Sequence, residues 1–195
     1  MWGVLFPEGR ASQISINLFL RDNGNVVLDT LARVVDFVFS PTSATALTIV
    51  LAVLIGMVRK SLMAAAGFAL AVLLAWLPVE ILKFVFHQSR PVDIQILEGI
   101  GAVNPQSSFP SGHVGFAIGI SCALLLVVRP GRARGSIIAG LTALVMIVAY
   151  TRLYAGVHYL SDTVGSVFAS AVGILVFTQL WPLVVTAKSP HSSAT

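Results

Sequence analysis

The chain is short of charge. Only 10% of its 195 residues are Asp, Glu, Lys or Arg, while 56% are hydrophobic. A soluble domain carries about a quarter charged residues, so a water-covered globular surface is excluded. Cysteine is nearly absent: Cys122 stands alone in an apolar run and has no internal partner, which excludes a disulfide scaffold. Strict alternation of apolar and polar residues is also missing, and with it the pattern of a membrane β-barrel. There is no low-complexity tract and no internal repeat. The start, MWGVLFPEGRASQ, lacks a basic segment followed by an apolar one, so no cleavable signal peptide is expected. The net charge of +4 is too small to suggest nucleic acid.

What the chain has is apolar runs, with a mean hydropathy of +0.91. Several approach or exceed the roughly 18 residues that mark a membrane helix. They predict an all-α, polytopic transmembrane bundle of five to six membrane helices. Five spans are expected at about 43–58, 62–84 (kinked at Pro78), 112–128, 135–153 and 162–185. Residues 13–40 read differently. Asp29, Arg33 and Asp36 recur at helical spacing among Val, Leu and Phe, and a charge at the bilayer centre costs about 2.5–3.5 kcal/mol. The expectation is an amphipathic segment over 1–40 lying at the interface, a transmembrane domain over 41–185 and a cytoplasmic tail over 186–195.

Orientation follows from Lys and Arg. Arg59, Lys60, Arg129, Arg132, Arg134 and Lys188 fall on one side if the five spans alternate, and that side should be cytoplasmic. The other side receives Lys83, Arg90, Arg152, His87, His113, His158 and Asp162. Ionisable residues gathered at span ends mark a functional site.

Three clusters meet there: KFVFHQSRP (83–91), PSGH (110–113) and TRLYAGVHYLSD (151–162). Lys83, Arg90 and Arg152 are cations whose mutual repulsion a polyanion would relieve, and guanidinium groups suit phosphate oxygens. Arg90 is two helical turns past Lys83 if that helix continues to Pro91. Ser111 occupies a helix N-cap position, where backbone N–H groups and the helix dipole favour an anion. Gly112 admits close approach, and His113 in the first turn can donate a proton. His158 and Asp162, at i and i+4, share one helix face. A carboxylate on the imidazole Nδ1–H leaves Nε2 free to attack. Arg152 lies on another face, so a break around YAG is needed to bring it in. Alone, each cluster also has a plain reading: a loop and helix cap, a snorkelling lysine, a structural His–Asp pair. His87 reads as an ordinary loop histidine, Cys122 as filler, and Gly115 with Gly119 as a close helix contact. Glu80, one turn before Lys83, is a candidate partner for it.

Together the clusters resemble the signature of the phosphatidic acid phosphatase type 2 superfamily, whose soluble relatives include vanadium haloperoxidases. Lys83, Arg90 and Pro91 match its first block, Pro110 to His113 its second, and Arg152, His158 and Asp162 its third. Thr151 replaces the usual Ser and keeps the hydroxyl. The resemblance implies a metal-independent lipid phosphatase with no cofactor. It assigns phosphoryl binding to Lys83, Arg90, Ser111, Gly112 and Arg152, nucleophilic attack to His158, orientation to Asp162 and proton transfer to His113. The partners it implies are a lipid phosphate and the bilayer, in a bacterial inner membrane with the site outside. Undecaprenyl diphosphate leads as substrate, followed by phosphatidylglycerol phosphate. A non-catalytic lipid- or anion-binding protein or transporter is the competing class, but binding alone needs only the cations.

Overall fold

The computed structural model describes residues 7–91, 107–128 and 130–187. Every regular element among them is helical: α1 (Pro7–Asp22), α2 (Val26–Val38), α3 (Pro41–Arg59), α4 (Leu62–Phe86), α5 (Gly112–Val127), α6 (Arg134–Tyr154) and α7 (Leu160–Ala187). Polar residues between the apolar runs set the starts. The Asn25 side chain accepts the Leu28 N–H at 3.0 Å and caps α2. Ser40 caps α3, with Pro41 in the first turn, and Ser61 caps α4. Lys60 and His87 turn left-handed, at φ 49° and 42°, and end α3 and α4.

Among the described residues four helices, α3, α4, α6 and α7, are long and apolar enough to cross a membrane, and α5 is a shorter apolar one. The chain is a polytopic helical bundle, as the five apolar runs predict, and a multi-pass membrane protein. Its 16-residue α5 is about 24 Å long at 1.5 Å per residue. It can be short because it is enclosed, packing on α4, α6 and α7. Val114, Phe116, Ala117, Ile120 and Ala123 of α5 are buried with Phe68 and Val72 of α4 and Val148 of α6. Large apolar side chains such as Ile49, Leu73, Met146, Phe168 and Leu175 point outward, as a lipid-facing surface requires.

Glycines set how closely α4 is approached. A Cβ on Gly115 would lie 2.7 Å from Val79 Cγ2, and one on Gly119 3.1 Å from Ala75 Cβ, so this pair serves helix packing. Helix α4 continues through Pro78. A proline lacks the N–H that would bond the carbonyl four residues back, here that of Leu74. Gly173 of α7 packs against that same carbonyl: a Cβ there would sit 1.8 Å from Leu74 O.

Residues 7–38 of the N-terminal segment form two helices, α1 and α2, and both pack on α6. Several of its polar groups turn inward, toward the end of the bundle where α4 and α6 finish and α5 and α7 begin.

Candidate active site

The bundle alternates in direction, so the C-terminal ends of α4 and α6 meet the N-terminal ends of α5 and α7. Lys83, His87, Arg90, His113, Arg152, His158 and Asp162 lie at this end. Arg59, Lys60, Arg132 and Arg134 lie at the opposite one, while Arg129 and Lys188 lie outside the described residues.

The break expected around YAG is present. Helix α6 ends at Tyr154, and Gly156 adopts φ 68°, a conformation that costs glycine little. The reversal brings His158 back over the end of α6 that carries Arg152. His158 Nδ1 faces Asp162 Oδ2 at 3.2 Å, and both side chains are almost wholly buried. That oxygen also accepts the Tyr159 N–H at 2.9 Å and the Ser108 hydroxyl, while Gln88 reaches Oδ1 at 3.3 Å. A carboxylate held by so many donors is fixed in place, and it fixes the imidazole with Nε2 on the side away from it. Burial pushes His158 down to about 4, and the charges of Arg90 and His113 add to this while Asp162 opposes it. His158 is therefore neutral, the form in which it is a nucleophile, throughout the physiological range.

The residues expected to bind an anion also come together here, with changes in their detail. Ser111 stands at the N-cap of α5 with extended backbone, but its side chain does not cap. Its N–H donates to Asp162 O at 3.2 Å and its carbonyl accepts from Ser166. Its Oγ is buried without a hydrogen-bond partner among the described residues. The space beside Gly112 admits a protein group: a Cβ there would lie 2.6 Å from Lys83 Nζ and 3.1 Å from Glu80 Oε1. Lys83 is held there by Glu80 at 2.7 Å, the pairing their spacing suggests.

The cations are not placed as one continuous helix would place them. Arg90 is not two turns further along α4, because His87 ends the helix first. The irregular segment after it carries Arg90 to the α6–α7 turn, where Nη1 donates to Val157 O at 3.1 Å. Two of the cations have carboxylate partners. Lys83 has Glu80, and Arg152 has Asp36, 116 residues away in sequence, at 2.5 Å. Helical spacing reveals the first partner; no local pattern reveals the second.

Asp36 belongs to a group of site residues that motif spacing misses. Arg152 is fully buried, with Nη1 on Asp36 and Nη2 on Ala32 O at 2.7 Å, so α2 holds both ends of the guanidinium. Its Nε is buried with no partner among the described residues. His113 Nε2 approaches Asp36 Oδ1 at 3.5 Å. Burial works to raise the Asp36 carboxyl, but the His113 hydrogen bond and the Arg152 charge outweigh it and leave it below its ordinary range. From α1, buried Asn17 donates to Leu153 O at 2.7 Å and to His158 O at 3.0 Å, tying both ends of the α6–α7 turn. Asp29 accepts from Tyr154 and Arg21, closing the outer edge.

A family model of the PAP2 superfamily matches residues 62–185. The chain belongs to the PAP2 superfamily. No similar curated protein is found. Among solved structures, the chain is similar to Aquifex aeolicus LpxE, with 23% identity, a TM-score of 0.63, and coverage of 85% of this chain and 93% of that one. It is also similar to a transmembrane PAP2-type phosphatidylglycerolphosphate phosphatase from Bacillus subtilis. There the identity is 18%, the TM-score 0.65, and the coverage 91% of this chain and 86% of that one. At these identities the likeness is one of fold. The PAP2 match begins at α4, so Asn17, Asp29 and Asp36 on α1 and α2 lie outside it.

Proposed function

We propose that this PAP2 protein is a metal-independent membrane phosphatase acting on a lipid phosphate or diphosphate through a phosphohistidine. The observation that carries the reading is the Asp162–His158 pair, which turns a neutral Nε2 away from the carboxylate. In the first step Nε2 forms a bond to phosphorus and the bond to the leaving oxygen breaks. His113, protonated, gives that oxygen its proton. In the second step neutral His113 takes a proton from water as the water oxygen bonds to phosphorus and the P–N bond breaks. Lys83, Arg90, Arg152, Ser111 and the start of α5 receive the phosphoryl oxygens, and fixed donors of this kind stabilise the charge that builds up.

A lipid substrate fits a site at the end of a bundle whose flanks are apolar, since the tail stays in the bilayer. The collection of Arg59, Lys60, Arg132 and Arg134 at the opposite end favours a site on the outer face. Undecaprenyl diphosphate is the lead substrate. Phosphatidylglycerol phosphate is close behind, and the similarity to the Bacillus enzyme adds to its case. The test is phosphate release by purified protein across a panel of polyprenyl and glycerol lipid phosphates, with EDTA present. Release from at least one, inhibited by vanadate, is expected. Activity abolished by EDTA and restored by magnesium would overturn the metal-free mechanism.

A further inference from the structure

The site contains two histidines, and each faces a carboxylate. His158 has Asp162 four residues away. His113 has Asp36, which comes from α2, 77 residues earlier. We propose that Asp36 is a positioning residue for proton transfer: it orients His113 through Nε2 and favours its protonated form, so that the leaving oxygen receives a proton. The proposal rests on the phosphatase reading above.

Three observations carry it. His113 Nε2 lies 3.5 Å from Asp36 Oδ1 and 3.4 Å from Asp36 O, so the ring is directed at this one residue. With Nε2 so engaged, Nδ1 is the nitrogen left for the reacting oxygen. The same Oδ1 accepts from Arg152 at 2.5 Å, and Ala32 O one turn earlier takes the other end of that guanidinium. Arg152 therefore fixes the carboxylate from one side while His113 meets it from another. Finally, the charges around His113 need an anion. Arg152 comes from α6, His158 from the α6–α7 turn, and Lys83 with its Glu80 partner from α4 beside Gly112. Arg152 disfavours a second positive charge, neutral His158 supplies no anion, and Glu80 is already bonded to Lys83. Asp36 is the carboxylate on His113 itself. An opposite charge this close commonly shifts a protonation equilibrium by one to three units. Asp36 stays a carboxylate throughout; the proton that moves is the one on His113.

The experiment compares full-length wild type and Asp36→Asn on two esters with the same alkyl tail. One is an alkyl phosphate, whose alkoxide cannot leave without a proton. The other is a nitrophenyl phosphate, whose phenolate can. Losing proton donation costs about a hundredfold or more on the alkyl ester, and the aryl ester should lose far less. The alkaline limb of kcat/KM on the alkyl ester should move about one unit to lower pH. Asp36→Glu should restore most of the alkyl-to-aryl ratio. An unchanged ratio in Asp36→Asn, whatever the overall loss, would mean that Asp36 acts only by holding Arg152, and would overturn the proposal. Asp36→Ser, read in the same way, serves if the Asn variant does not fold. Wild-type protein that hydrolyses neither ester would count against the phosphatase reading instead.

Discussion

At the scale of single residues, burial and charge set what the site can do. His158 is held neutral by burial down to about pH 4. The unfolded chain binds that proton near 6.5 and the folded chain only near 4, so folding stability falls as pH drops between those values and levels off below. Titration of histidine-labelled protein by NMR should show His158 unresponsive at pH 6.5 and titrating near 4. Arg152 offers a second case. Its two terminal nitrogens are bonded to Asp36 and Ala32, and only a planar fork spans both. Arg152→Lys should lower kcat/KM on the best lipid substrate by about a hundredfold or more, since transition-state contacts of this kind contribute several kcal/mol. Asn17 is buried on the carbonyls of Leu153 and His158. Asn17→Ala should cost about 1–3 kcal/mol of stability by thermal or denaturant unfolding, because it leaves buried carbonyls unpaired. Activity should fall with it as the turn carrying His158 loosens.

At the scale of elements, the site depends on how closely helices cross. Gly173 of α7 sits on the Leu74 carbonyl, which Pro78 leaves without its helical donor. Gly173→Ala would put a methyl 1.8 Å from that oxygen, so α4 and α7 must separate. The expected loss is about 1–3 kcal/mol or more, visible as a lower unfolding temperature in detergent. Turnover should fall too, because α4 carries Lys83 and α7 carries Asp162. The spans themselves were legible in the sequence, since an apolar run of membrane length has one regular solution in lipid. So was the break before His158, because Arg152 and His158 could not otherwise share a site. The end of α4 near residue 84 was legible, but the left-handed turn at His87 that makes it was not, because an apolar run marks where a span stops and not how the chain leaves it. That turn places Arg90 in a loop and off the helix face.

At the scale of the whole molecule, the PAP2 match covers α4 to α7, and α1 and α2 complete the site. The i,i+4 pair His158–Asp162 could be read directly, because its spacing is local. Asp36, Asn17 and Ser108 could not, because their partners lie between 54 and 141 residues away. Along α2, Asp36 has the helical spacing of an ordinary polar face; only the docking of α2 on α6 makes it a partner of Arg152. It follows that removal of residues 1–38 should abolish activity, even though the family match lies wholly within what remains. Full-length protein and the truncated form, purified side by side, would check this by phosphate release per folded molecule.

The account turns on His158 as the atom that meets phosphorus. The direct measurement is a rapid acid-free quench of protein turning over a lipid carrying labelled phosphate, in EDTA, followed by mapping of the label. Label on His158, stable to base and lost in acid, and absent from His158→Ala together with all phosphate release, is the predicted result. Phosphate release that survives His158→Ala, or label mapped to another residue, would contradict it.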